Sequence, residues 1–357
     1  MNNGRLDFLD SLRGIAAVSV VFFHTLLVPA PNPELSNALA SSLVHFAGTG
    51  VFLFFVISGW SLAMTMPRHD RTASPPISFA ISRLFRIAPL FYAVMAVTMA
   101  RDFLKLGTIV DPGTLLANTA FVFNFVPGGQ EGIVSASWTI GVEMIFYALF
   151  IPLYRAGLAV QIGMAAISIA MFAGIVSVTD RSYYYWSVVG YLPMFLIGMW
   201  TYRLYTWAVA AGTISRQTAW AVLIVGLAML GACAAAPSAE KMILLRIPIA
   251  AGYAAVLLAC GLLRPAILSS PRLIFFGTIS YSLYLIHVIV ILLVDAAFPH
   301  LASALPGDLA YWADALLVLA VATPIAAVLH RMIERPGDAL GRALIRARLQ
   351  PSAPKAA

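Results

Sequence analysis

What most constrains this chain is the recurrence of apolar runs long enough to cross a hydrocarbon layer. A helix rises 1.5 Å per residue, so about 20 apolar residues cover the ~30 Å core of a bilayer. Runs of that order fall at 12–30, 44–66, 84–104, 136–154, 158–178, 188–207, 217–236, 242–263, 272–295 and 309–330. In lipid every backbone N–H and C=O must be satisfied, so runs of this kind predict helices. Of the 357 residues 61% are hydrophobic and only 10% charged, against about 25% charged in soluble domains. The expected fold is all-α, a polytopic transmembrane helix bundle of about ten spans. The segment 113–126 is apolar but short, holds Asn118 and Asn124, and is flanked by Gly and Pro; it reads as re-entrant or surface-lying.

The net charge of +7 does not point to nucleic acid, because the basic residues gather at helix ends, where membrane orientation places them. With the N-terminus in the cytoplasm, Arg101, Lys105, Arg181, Lys241 and Arg246 fall outside and the other Lys and Arg inside. The reverse orientation inverts this asymmetry, so both termini are expected in the cytoplasm. The first apolar run lacks a small-residue cleavage site and reads as an uncleaved helix. Cys233 and Cys260 fall near opposite ends of their spans and are not expected to pair. Residues 1–336 are expected to form one membrane domain. Residues 337–357 would be a basic cytoplasmic tail, disordered after Leu349.

Arg13 and His24 are eleven residues apart, which returns them to one face of the first helix about 16 Å apart. An ionisable side chain inside the hydrocarbon is by default a functional candidate; the bland alternative is a histidine bonded to a neighbouring helix for packing. Glu143 lies about 9 Å below the outer end of its helix and His24 about 12 Å from the same surface. A carboxylate beside an imidazole would fix its tautomer and stabilise the imidazolium, so the two are expected to pair. Tyr281, Ser282 and Tyr284 give the ninth span a polar side and His287 sits in its outer half; Tyr281, Ser282 and His287, with Trp138, are the candidate acceptor-binding residues. Ser58 and Gly59 form a small notch that suits either a thin ligand chain or a close helix crossing. Arg83 and Arg86, at i, i+3 near a helix N-terminus, suit phosphate groups, although orientation alone would also place arginines there. Glu334 and Arg335 read as interfacial anchors, with Pro336 ending the last span. The histidines are scattered, the cysteines do not cluster, and there is no phosphate-binding or dinucleotide glycine motif, so no metal is expected.

These pieces together resemble the integral-membrane acyltransferase-3 family of bacterial O-acyltransferases. The resemblance runs from Leu9 to Pro336. It rests on Leu9-Asp10-Ser11-Leu12-Arg13-Gly14, the ten residues between Arg13 and His24, Phe55 to Gly59, Arg83 to Arg86, Trp138 to Tyr147 around Glu143, Ser280 to His287, and Glu334-Arg335-Pro336. It implies an acyl-CoA-dependent enzyme of a bacterial inner membrane, moving an acyl group, commonly acetyl, from cytoplasmic acyl-CoA to a glycan hydroxyl outside. Arg13 and His24 would be essential. The partners implied are membrane lipid, acyl-CoA as co-substrate and a glycan acceptor; assembly with further copies of the chain stays open. Met144 departs from the pattern where many members carry a second acid, so the acid role rests on Glu143. No fused esterase-like domain is read. In the mechanical picture the CoA phosphates rest near Arg83, Arg86 and Arg13, and the pantetheine arm passes Ser58 and Gly59. The thioester then meets His24, acting as base with Glu143 holding its ring. An acyl-enzyme on Tyr or Ser remains an alternative. So does a small-molecule acceptor such as a macrolide. A transporter or flippase would instead show inverted repeats with paired broken helices.

Overall fold

The computed structural model describes residues 6–29, 33, 35–178, 186–212, 214–235, 244–294, 298–305 and 308–349, and among them all regular structure is helical. In chain order the helices are α1 (Asp7–Leu27), α2 (Ala38–Ala47), α3 (Gly50–His69), α4 (Pro75–Leu106), α5 (Pro112–Thr119), α6 (Trp138–Arg155), α7 (Leu158–Val178) and α8 (Leu192–Ala211). They continue with α9 (Arg216–Ala234), α10 (Arg246–Leu263), α11 (Pro271–Thr278), α12 (Ser280–Val294), α13 (Phe298–Ala304), α14 (Leu309–Leu329) and α15 (Arg335–Leu349). Seven helices among the described residues are long and apolar enough to cross a membrane, or eight if α11 and α12 are one bent span. The chain is a multi-pass membrane helix bundle. Helices α6 and α8, of 18 and 20 residues, occupy the two other positions where a crossing is expected.

Several elements differ from expectation. The run 272–295 is not one rod: α11 and α12 meet at a break with a bend of 70°. Segment 113–126, by contrast, agrees with its reading as a non-crossing piece: it holds the eight-residue α5 and a 3-10 turn at Phe123–Phe125, about 12 Å of helix and too short to cross. Helix α4 starts at Pro75, well before the apolar run at 84, behind Ser74 and with proline in its first turn, where a missing N–H costs nothing. Pro336 does not end the last span. A π turn at His330–Glu334 leads into α15, with Pro336 in its first turn. Arg246, counted above as an outer loop charge, is buried at the start of α10, its guanidinium 4.1 Å from the Tyr191 ring centre. Arg181, Lys241 and the tail beyond Leu349 lie outside the described residues.

Two compact units share the chain: Met1–Trp60 with Val189–Ala327, and Ser61–Val188 with Val328–Ala357. In the first, α1 is the central element. Its Asp10–Gly14 turn presses on α11: a Cβ on Gly277 would stand 1.9 Å from Asp10 O, and one on Gly14 2.7 Å from Gly277 N. Ser11 Oγ donates to Leu268 O at 2.6 Å. The Leu9–Gly14 motif is thus in part a docking surface for α11, where glycine lets two backbones touch. In the second unit α15 lies along α4. Pro89 cannot donate to the carbonyl of Phe85, and that carbonyl is faced by Gly337, whose Cβ would stand 2.8 Å from it.

Candidate active site

His24 sits in the last turn of α1, because the helix begins at Asp7 and ends at Leu27. That is about 4.5 Å from the helix end, nearer the end than counting from Leu12 predicted. Its Nδ1 lies 3.0 Å from Val20 O and 3.2 Å from Nε2 of His287 on α12. The two imidazole centres are 4.8 Å apart. His287 Nδ1 is in turn hydrogen-bonded to Tyr284 O. Phe23 packs edge-on against His24 and Phe54 edge-on against Tyr284, while Tyr284 meets His287 at a tilt. His287, expected among the acceptor-binding residues, is 0% exposed and in contact with His24. Tyr281 and Ser282, expected in the same role, are buried in α12.

At the other end of α1, Arg13 Nη1 donates to Asp10 Oδ1 at 3.0 Å. The two charges close on one turn of helix, an i, i+3 pair. Sequence reading singled out Arg13 and passed over Asp10, although the spacing was visible.

The second unit gathers a separate polar cluster. Tyr147 Oη donates to Glu143 Oε1 at 2.5 Å, one helical turn apart on α6. The Arg83 guanidinium lies 5.9 Å from the ring centres of Tyr147 and of Phe79, and donates to Ser82 Oγ at 2.9 Å. Arg86 Nη2 is 4.0 Å from Glu334 Oε1, and Glu143 and Tyr147 are within electrostatic range of Arg86. Glu334 is only 2% exposed, with His330 Nδ1 3.0 Å from its Oε2. It is a buried counter-charge, not an interfacial anchor. Arg83 and Arg86 are not at a helix N-terminus, since α4 begins about 12 Å before Arg83. The helix-end argument for phosphate therefore falls, and what remains is two guanidiniums among carboxylates and rings. Missed by sequence reading were Tyr147, Glu334 and His330. The i, i+4 spacing of His330 and Glu334 was the available signal. Glu143 and His24 belong to different compact units.

Gly59 is filled from the side. A Cβ there would stand 2.0 Å from Phe195 O, and reciprocally one on Gly198 2.1 Å from Val56 O. The notch is a crossing of α3 and α8 and leaves no room at Gly59 for a pantetheine arm. Ser58, its neighbour, is half-buried. Trp138, expected at the acceptor, is buried as the first residue of α6, and its carbonyl accepts from Asn124 Nδ2 at 3.0 Å. Among the described residues no group of three or more His, Cys, Asp or Glu could hold a metal ion.

Comparison with known proteins bears on what such a bundle does. The chain matches the family described as "Acyltransferase domain" over residues 6–331. It is 26% identical to "Nodulation protein 10" of Rhizobium leguminosarum bv. viciae, over 98% of this chain and 97% of that protein. It is 31% identical to "Exopolysaccharide production protein ExoZ" of Rhizobium meliloti (strain 1021), over 30% of this chain and 34% of that one. No solved structure matches. A match covering nearly the whole chain settles the family: this membrane protein belongs to the acyltransferases of that domain.

Proposed function

We propose that the protein is an O-acyltransferase that moves an acyl group, acetyl in the simplest case, from cytoplasmic acyl-CoA to a hydroxyl of an extracytoplasmic glycan. The observation that carries this reading is an imidazole pair, His24 against His287, inside the helix bundle of an acyltransferase. The relative named for exopolysaccharide production supports a glycan as acceptor. In this reading His24 takes the acceptor hydroxyl's proton as the oxygen attacks the thioester carbonyl. The C–S bond breaks, and the proton returns to the departing thiolate as CoA thiol. Arg83 and Arg86 receive the donor's phosphates, for which Arg86 exchanges its contact with Glu334. Glu143 remains the carboxylate assigned to charge balance in this chemistry, and Arg13 an ion-paired support of α1. The ten-span topology with both termini in the cytoplasm of a bacterial inner membrane belongs to the same proposal.

A broken span is also a transporter feature, but transporter folds of that kind carry such breaks in pairs. One bent pair is found among the described residues.

The test is His24→Ala, purified with wild type and read for thermal stability, acetyl-CoA binding and acetyl transfer in one preparation. Transfer is expected to fall by about 10² to 10⁴, the worth of a positioned base, with donor binding retained. A folded His24→Ala that transfers at the wild-type rate sinks the proposal. Ester-linked acetate on the host's surface glycan, measured by mass spectrometry in deletion and wild-type strains, tests the acceptor.

A further inference from the structure

The contacts of the imidazole pair determine where its protons sit. Val20 O faces His24 Nδ1 and Tyr284 O faces His287 Nδ1. A carbonyl only accepts, so each Nδ1 carries a proton, and in a neutral ring the other nitrogen then holds a lone pair. The lone pair of His287 Nε2 points at the Nδ1–H of His24, 3.2 Å away. The Nδ1–H of His287 then meets Tyr284 O, the one Nδ1–H of His24 is shared between Val20 O and His287 Nε2, and the remaining lone pair is on His24 Nε2. The opposite tautomer of His24 would set a lone pair on Nδ1 against both the Val20 carbonyl and the lone pair of His287.

We infer that His287 is a positioning residue that holds the proton of His24 on Nδ1 and so presents Nε2 as the base. This rests on the proposed role of His24. When Nε2 takes the acceptor's proton, the Nδ1–H bond to His287 becomes charge-assisted, about twice as strong as a neutral one. The gain appears as charge develops, so it favours the transition state over the ground state. His287 exchanges no proton: the hydroxyl's proton moves to His24 Nε2 and from there to the leaving thiolate. The buried Tyr284 packs on the His287 ring and is itself met edge-on by the half-buried Phe54.

Three variants of the full chain test it in membrane vesicles of the host, which carry the native acceptor, with acetyl-CoA as donor and CoA-thiol release as readout. His287→Leu keeps volume and removes the acceptor atom. It should lower kcat by about 10- to 100-fold with the KM for acetyl-CoA unchanged, as loss of one charge-assisted bond predicts. His287→Gln places a carbonyl oxygen near the former Nε2 and should recover most of that loss. His24→Ala is the reference that separates the two ideas: if it is fully active, the base assignment itself fails. If it is inactive while His287→Leu is unimpaired, or while Gln is no better than Leu, only the role of His287 fails. Nitrogen NMR of histidine-labelled wild type, with the His24 signals assigned by their loss in His24→Ala, reads the tautomer without any turnover. Protonated Nδ1 and bare Nε2 are expected; a proton on Nε2 overturns the inference.

Discussion

Gly59→Ala is the sharpest single change for deciding what the α3–α8 crossing is for. Alanine is the better helix former by about 1 kcal/mol, so on propensity alone the variant would be stabilised. The geometry decides otherwise. The new methyl would stand 2.0 Å from Phe195 O, where ordinary contact begins at 3.4 Å. The obstacle is backbone, which cannot swing aside as a side chain could. The helices must part by about 1.4 Å, and a gap of 0.5–1 Å already forfeits a quarter to a half of each dispersion contact it opens. The atoms affected belong to Val56, Trp60, Phe195 and Met199, all fully buried. Phe55 also packs on Phe195 and Trp60 on Tyr205, with ring centres 4.8 and 5.0 Å apart. Overpacking of this kind costs about 1–3 kcal/mol and occasionally more. After the propensity gain, a net loss of about 1–2 kcal/mol is expected, toward the upper end of that balance because the clash is with a backbone carbonyl. Thermal and SDS-titrated unfolding in detergent measures it. Gly198→Ala should behave alike, and the double variant should cost less than the sum, since helices already parted admit the second methyl. A Gly59→Ala protein within about 0.5 kcal/mol of wild type, with a raised KM for acetyl-CoA, would refute this and restore Gly59 to a donor channel.

Two further outcomes follow from the charges. Glu334→Gln removes the buried carboxylate facing Arg86, which should lower stability by about 1–2 kcal/mol, less than a fully buried pair because Arg86 is partly exposed. If Arg86 receives phosphate, the same change should tighten acetyl-CoA binding while Arg86→Ala weakens it, both read by calorimetry. Asp308 accepts from the backbone N–H of Ser36 at 2.7 Å and of Asn37 at 3.1 Å, and from Ser36 Oγ. These bonds hold its carboxyl below the ordinary carboxylate range. A depressed folded pKa stabilises above the unfolded pKa near 4 and loses that contribution as pH falls through the lower folded value. The difference in Tm between wild type and Asp308→Asn should therefore be present at neutral pH, begin to shrink near pH 4 and vanish only below the depressed folded value.

The membrane class and the face shared by Arg13 and His24 were legible because both follow from hydropathy and a helical period of 3.6 residues. The acyltransferase reading was legible because short motifs recur in order along that frame. What escaped the sequence escaped for physical reasons. Hydropathy marks the part of a helix that suits lipid and not the whole helix, so α4 seemed to begin near Arg83 although Ser74-Pro75-Pro76 carried a start signal. A π turn shifts the register of every side chain after it, so the burial of Glu334 could not be counted off from α14. Likewise Ser58-Gly59 suits a ligand chain and a helix crossing equally; only the partner backbone distinguishes them.

The break between α11 and α12 is the feature that sequence least suggested and the one that best explains the imidazole pair. Gly277 is pressed against Asp10 on α1, and His287 reaches His24 on the same helix. Between Gly277 and His287 a helix rises about 15 Å. Had it continued straight after crossing α1 at a usual angle near 50°, it would have moved about 11 Å to the side by His287, too far for two imidazoles to touch. The 70° bend separates the two tasks, so that the direction of one helix does not dictate that of the other. α11 makes the glycine crossing at the Arg13 end, and α12 packs on α1 and carries His287 to His24. On the proposed chemistry, Thr278 and Ile279 would act through geometry, although neither takes part in it.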